Sequence, residues 1–315
     1  MKKPLVCIFL AVILTPLFAQ NTAMIEQMVY QKKQEQILSY LADDMTQGRA
    51  SGTKGKQLAE QFIISQFKKY GLKPYNWNYT QSFKYDSISI RNVVGFIPAV
   101  GKSDEYVILS AHYDHIGILH GNIYNGADDN ASGVTAMLNI AEMFATMKII
   151  GNGPLKNIIF VAFDGKELSM SGSEYFVNNL TIPKAKIACA INLDMLGTNL
   201  FPPGNNPEYM IVLGNERLKK SYRGLIDKCN NKNHINLDID YTFYGSKDFA
   251  KLFYTMSDQY SFAKSGIPAI LFTSAFHDYT YKPGDDINII DFPLLIKRTL
   301  LIFNFIIEIC KEQNY

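Results

Sequence analysis

The chain has 315 residues, 47% of them hydrophobic and 19% charged, which excludes wholesale disorder and leaves room for a sizeable core in one large α/β domain or two small ones. Its 31 Lys+Arg against 29 Asp+Glu give a formal net charge of +2. With no basic run beyond that, the chain has no electrostatic footprint for nucleic acid or an anionic membrane.

The chain opens like an export address. Lys2 and Lys3 form a positive region, Leu5 to Leu14 are apolar, and Leu17-Phe18-Ala19 ends a small-residue cleavage signal before Gln20. Residues 1–19 are therefore expected to be a signal peptide, and the mature protein to be exported and soluble, either periplasmic or extracellular. A buried N-terminal helix is the competing reading. The apolar run is too short to cross a bilayer, and no later segment reaches that length. Cleavage removes Lys2 and Lys3 and leaves a formally neutral chain. It also leaves Cys189, Cys229 and Cys310, an odd set that does not describe a disulfide framework. A Cys229–Cys310 bridge is compatible with the sequence but nothing indicates it.

Two helical patterns come next. One runs through Ile37, Leu38, Leu41 and Met45, the other through Leu58, Phe62, Ile63, Phe67 and Tyr70, stopping at Gly71. Strand and helix then alternate. Tyr106 to Ala111, Asn157 to Phe163, Lys186 to Leu193, Tyr209 to Leu213 and Ile267 to Thr273 read as strands. Ser132 to Met147, Ser173 to Asn179 and Phe292 to Lys311 read as helices, and Asn199 to Pro207 as a surface loop. This alternation predicts an α/β fold with a mostly parallel, mixed sheet and helices on both faces. No repeat, linker or low-complexity tract divides residues 20–315, which read as a single domain.

The metal-type side chains gather just after the strands, where open parallel sheets place their ligands. His112 and Asp114 follow the first strand, and Asp164 and Glu167 follow the second. Asp194 closes the third, and His277 to Tyr281 follow the last. Asp128 and Asp129 lie in the turn-rich stretch Asn125 to Gly133 that opens a helix. Taken singly, each has an ordinary reading: Asp128 as a turn former or cap, His120 and His234 as solvated residues, Glu167 and Asp194 as polar strand ends. In His112-x-Asp114, however, the carboxylate is spaced to hold the imidazole, as metal-bound histidines require. His112, Asp129, Glu167 and Asp194 together form an oxygen-rich set suited to zinc with water as the reactive ligand.

These stretches carry a family resemblance. Leu41 to Arg49, Gly52 to Gly55, Ser110-Ala111-His112-Tyr113-Asp114-His115-Ile116-Gly117, Asn125 to Gly133, Phe163 to Ser173, Asn192 to Met195 and Gly266 to Ala269 resemble, in order, the blocks of the co-catalytic zinc aminopeptidases, metallopeptidase family 28. The resemblance implies the zinc-exopeptidase-like (phosphorylase/hydrolase-like) fold. It also implies two zinc ions bridged by Asp129. One takes His112 and Asp194. The other takes Glu167 and a histidine near the C-terminus, while the residue before Glu167 serves as general base.

The chain departs from that pattern at two places. The Glu-Glu pair reads Lys166-Glu167, and the C-terminal block reads Asp278-Tyr279-Thr280-Tyr281-Lys282-Pro283, so the expected histidine falls on Tyr281 or Thr280. His277 is close by but out of register. Gln259 stands where many relatives carry a histidine that is not a ligand. Lys166 either faces solvent, as lysines mostly do, or neutralises carboxylates left by a missing ion. The expectation is a metallo-aminopeptidase of reduced or altered activity that takes peptides. One zinc ion is held by His112, Asp129 and Asp194, and Glu167, Lys166 and Asp114 are the catalytic candidates. The alternative is an inactive family member that binds peptides or a partner. A glutaminyl-cyclase-like transferase ranks below both.

Overall fold

The computed structural model describes residues 24–312, so the expected signal peptide and its cleavage site lie outside the described residues. Helix α1 (Gln31–Leu41) buries Ile37, Leu38 and Leu41, and helix α2 (Lys54–Lys69) buries Ala59, Ile63 and Phe67. Thr53 starts α2, its hydroxyl accepting the Lys56 N–H at 3.2 Å and satisfying a donor the helix leaves open. The expected continuation of α1 to Met45 does not form. The Asp43 side chain accepts the Met45 N–H at 2.8 Å and opens a 3₁₀ turn, Asp44–Arg49, instead. A short polar side chain that bonds its own backbone competes with helix in this way.

The main sheet contains β1 (Lys73–Pro74), β2 (Thr80–Tyr85), β3 (Ile88–Ile97), β4 (Tyr106–His112), β7 (Asn157–Phe163), β8 (Ile187–Leu193), β9 (Tyr209–Leu213), β10 (Asp238–Asp240) and β11 (Ala269–Thr273). A separate hairpin pairs β5 (Gly117–Leu119) with β6 (Asn122–Tyr124). The order is β1-β3-β7-β4-β8-β11-β9-β10, with β2 on β3. Strands β7, β4, β8 and β11 run parallel, while β3 joins β7 and β9 joins β11 in antiparallel register.

The remaining helices are α3 (Gly133–Ile149), α4 (Ser171–Asn178), α5 (Leu225–Lys232), α6 (Lys247–Tyr254), α7 (Gln259–Lys264) and α8 (Phe292–Lys311). Alternation along the strands explains why helices cover both faces. On β7, Ile158, Phe160 and Ala162 join the core made with α1, α2, α3 and α8. Ile159, Val161 and Phe163 join Phe176 of α4 and Phe262 of α7 on the other face. A strand buried on both sides must be apolar along most of its length, and β7 and β8 are, apart from Asn157 and Asn192. Cys189, Cys229 and Cys310 are buried free thiols, so the Cys229–Cys310 bridge is not formed.

From β4 the chain passes through α3 to β7 on one side. From β7 it passes through α4 to β8 on the other side of β4. The carboxyl end of β4 is therefore a switch point, where an open α/β sheet leaves a crevice. His112 is the last residue of that strand.

Candidate metal centre

The His112 ring sets the chemistry. Its Nδ1 lies 3.0 Å from the Asp114 backbone oxygen. A carbonyl only accepts, so Nδ1 carries the proton and Nε2 presents a lone pair. Yet Nε2 faces Asp129 Oδ1 at 3.2 Å and Asp194 Oδ1 at 3.3 Å, with His112 and Asp129 fully buried. A lone pair against two carboxylate oxygens is repulsive unless a cation or a second proton lies between them. Zinc bonds of about 2.0–2.2 Å in a tetrahedral arrangement space the ligand atoms roughly 3.3 Å apart. One imidazole and two carboxylates, at that spacing, fit such an ion. Burial and the Lys166 ammonium push the His112 imidazolium toward losing its proton, but Asp194 and Asp129 outweigh them and hold its pKa well above the usual value. An ion entering the site displaces that proton.

Neighbouring loops are tied so that these ligands meet. Asp285 accepts the Asp128 N–H at 2.7 Å and the Asp129 N–H at 3.0 Å. Burial pushes the Asp285 carboxyl up to about 7. The Asn130 side chain accepts the Gly133 and Met195 N–H groups and donates to the Leu193 oxygen at 2.9 Å, fastening the end of β8 to the turn that carries Asp129. Ser257 donates to Asp194 Oδ2. Arg49 is fully buried and donates to the carbonyls of Leu41, Tyr113, Asn125 and Gly126.

Asp114 acts differently from the expectation. Its carboxylate is 3.8 Å from His112 Nδ1, and the imidazole is held by the Asp114 backbone oxygen instead. The carboxylate accepts the Lys166 and Glu167 N–H groups, both at 3.1 Å, because the turn after β7 presents those two donors side by side. Burial pushes its pKa up to about 7. Asp128 is a tie, accepting from Gly197 N–H at 2.6 Å and Ser132 Oγ at 2.9 Å. Asp164 pairs with buried Lys56 at 2.9 Å and takes no part in the centre.

Lys166 does not face solvent. Its ammonium, 8% exposed, lies 3.0 Å from Glu167 Oε1 and 3.6 Å from Asp129 Oδ1. It donates to the Tyr281 hydroxyl at 3.4 Å and lies 5.5 Å from the centre of that ring. Burial alone would lower its pKa, but Asp129, Asp194 and Glu167 raise it well above the usual value. Tyr281 thus contacts the lysine at the place where the resemblance expects an imidazole, and burial pushes its own hydroxyl up to about 12. Both ring nitrogens of His277 are engaged by Asp128 and Tyr279. Its Nδ1 accepts the Tyr279 N–H, and its Nε2 donates to Asp128 Oδ2, both at 3.2 Å.

Glu167 meets a residue the sequence reading passed over. His115, Asp129 and Glu167 offer donor atoms within 4.8 Å of one another. The only signal was His115 standing three positions after His112 at the same sheet edge, and the resemblance assigns no ligand there. Burial pushes the His115 pKa down to about 3, so its imidazole is neutral.

The family model described as Peptidase family M28 matches residues 92–306. A probable zinc metalloprotease of Pyrenophora tritici-repentis (strain Pt-1C-BFP) is 26% identical over 174 residues, which are 52% of this chain and 39% of that protein. The chain thus matches about two fifths of that relative's length. Among solved structures, the Legionella pneumophila LapA aminopeptidase superposes with TM-score 0.72 at 18% identity, covering 94% of this chain and 76% of that one. Porphyromonas gingivalis glutaminyl cyclase gives TM-score 0.66 at 18% identity, covering 89% and 98%. At such identities the two structures show a shared fold.

Proposed function

The chain belongs to peptidase family M28, and on that premise we propose that it is an exported, zinc-dependent hydrolase of the aminopeptidase type, with altered chemistry in one half of its centre. The observation that carries the reading is His112 Nε2 aimed between the Asp129 and Asp194 carboxylates at 3.2 and 3.3 Å. Held there, zinc supplies Lewis-acid polarisation of a carbonyl and acidifies water.

The chain's own residues do the rest. The Glu167 carboxylate, 23% exposed, accepts a proton from the attacking water and passes it to the leaving amine. Lys166 donates to the oxygen on which negative charge develops, a role in which a fixed ammonium needs no reorganisation. Asp114 positions both by holding their N–H groups. The Lys166 ammonium, 3.0 Å from Glu167 Oε1, competes with the attacking water for that carboxylate, so turnover is slow. A recess of about 30 Å³ beside Lys166 and Asp194, lined in part by Met195, Phe253, Met256, Leu271 and Phe276, has room for a methyl-sized group and so favours a small N-terminal side chain.

The test is hydrolysis of aminoacyl p-nitroanilides by the purified, zinc-loaded protein and its Glu167→Gln variant. Release that a chelator stops, and that falls by about 10²-fold or more in Glu167→Gln, is expected. No release from a protein that retains its zinc would instead make it an inactive peptide- or partner-binding member of the family.

A further inference from the structure

Strand β9 runs antiparallel to β11, so its carboxyl end opens at the edge of the sheet opposite His112. A cleft of about 510 Å³ lies there, between the turn after β9, the turn after β10 and helix α6. Its volume is ordinary for a small-molecule site. Four cations line it, Arg217, Arg223, Lys247 and Lys251, against one carboxylate, Glu216. The rest of the wall is mainly apolar, with Leu213, Ala250 and the rings of Tyr241 and Tyr254.

Much of the positive charge is left without a counter-charge. Glu216 lies 3.5 Å from Arg217 and Asp248 lies 3.3 Å from Lys251. Among the described residues, no carboxylate pairs with Arg223 or Lys247. Lys247 and Lys251 stand one turn apart on α6, where like charges repel. Both guanidinium groups, in contrast, are fixed in place. Gly214 has a φ of +92°, and a Cβ there would lie 2.5 Å from Tyr254 Cε2, so only glycine lets that ring lie against the turn. Arg217 stacks over the ring, 4.6 Å from its centre. Arg223 donates to the carbonyls of Leu218, at 3.0 Å, and Glu216. A planar fork already held by its neighbours loses little entropy when it takes an anion.

We propose that this cleft binds an organic anion with a flat apolar body, such as an aromatic carboxylate. Its charged group lies among the four cations, and its body covers Leu213, Tyr241 and Ala250. A bare inorganic anion would leave the apolar wall wet, and a neutral ring would leave the cations unpaired. Helix α6 separates this cleft from the metal centre. Ala250, Lys251 and Tyr254 line the cleft, while Phe253 lines the recess beside Asp194. The inference therefore does not rest on the hydrolase activity proposed above.

The experiment is equilibrium dialysis of the zinc-loaded protein against 2-naphthoate or its neutral amide, read by naphthyl absorption, with inorganic phosphate as competitor. The parent should bind 2-naphthoate with a Kd below about 1 mM, and the amide about tenfold or more weakly. Half-displacement should need about tenfold or more phosphate than naphthoate, because phosphate buries no apolar surface. The double variant Arg223→Gln with Lys247→Gln removes charge, and Ala250→Phe fills the apolar wall. Each should weaken binding by about tenfold or more, with circular dichroism confirming its fold. His112→Ala should bind naphthoate as the parent does, and loss of binding there would put the ligand on zinc and overturn the inference. No binding by the parent, equal binding of the amide, or full binding by both cleft variants would also overturn it. Displacement by equimolar phosphate would refute the apolar body.

Discussion

Replacing Arg49 with methionine removes the hub that joins the turn after α1 to both loops of the centre. The guanidinium is fully buried and donates at 2.5 Å to Leu41 and Asn125 and at 2.9 Å to Tyr113 and Gly126, all backbone oxygens. Burial pulls its pKa down to about 10, against the pull of Asp285, Asp129 and Asp114, so it stays charged at neutral pH. Methionine fills much of the space but offers no donor. A buried acceptor left unpaired costs about 1–3 kcal/mol. Taking the low end for each of the four carbonyls, Arg49→Met should lose on the order of 4 kcal/mol. That approaches the whole stability of a marginal domain, about 5–15 kcal/mol. Arg49→Lys keeps the charge but not the planar fork, and should lose roughly half as much. Urea unfolding at fixed zinc should be followed by far-ultraviolet circular dichroism, because the single tryptophan, Trp77, is fully exposed and reports poorly on the core. Zinc affinity should fall with stability, since Gly126 leads directly into the turn that carries Asp129. A midpoint for Arg49→Met within about 1 kcal/mol of the parent would refute the hub argument, and so would a lysine variant worse than the methionine one.

His277→Leu should leave zinc content unchanged and lower stability by about 1–2 kcal/mol, because it removes a donor to buried Asp128 rather than a ligand; loss of an ion on elemental analysis would contradict this. Burial holds the Asp258 carboxyl up at about 6, against an ordinary value of 3.8. Between roughly pH 4 and 6 the folded chain keeps a proton that the unfolded chain has lost, so this group takes stability away as pH rises through that window and withholds it above. Asp258→Asn should therefore match the parent near pH 4 and exceed it at pH 8 by on the order of 2 kcal/mol. Thermal unfolding at both pH values reads the difference, and a gap that does not grow with pH would exclude the explanation.

Much of the frame was legible in the sequence because it depends on periodicity over short distances. Strands β4, β7 and β8 and helices α3 and α8 bury most of their length and read as apolar runs with clear ends. What was missed had weaker local patterns. The hairpin β2–β3 mixes polar and apolar residues because β2 is largely exposed. The stretch from Gly214 to Gly266 holds short helices whose burial comes from docking, such as α7 under Phe163 and Phe176.

The sequence by itself determined that His112, Asp129, Glu167 and Asp194 reach one edge of a parallel sheet, because each follows or precedes a strand or helix whose period is plain. The resemblance it carries also sets Lys166 and Tyr281 apart as expected departures from the family's pattern. Side-chain direction across that edge was decided only by the tertiary structure. Lys166 turns inward because the carboxylates of Asp129 before α3, Asp194 after β8 and its neighbour Glu167 attract its ammonium, and no local pattern records their sum. His277 turns to Asp128 because the last loop brings it beside the turn before α3. His115 comes to face Asp129 because the Asn125–Gly126 turn, held by Arg49, has no Cβ at Gly126 to push its ring away. Each of these depends on contacts between segments far apart in the chain, where charge and space are set by what the fold assembles rather than by neighbours in sequence.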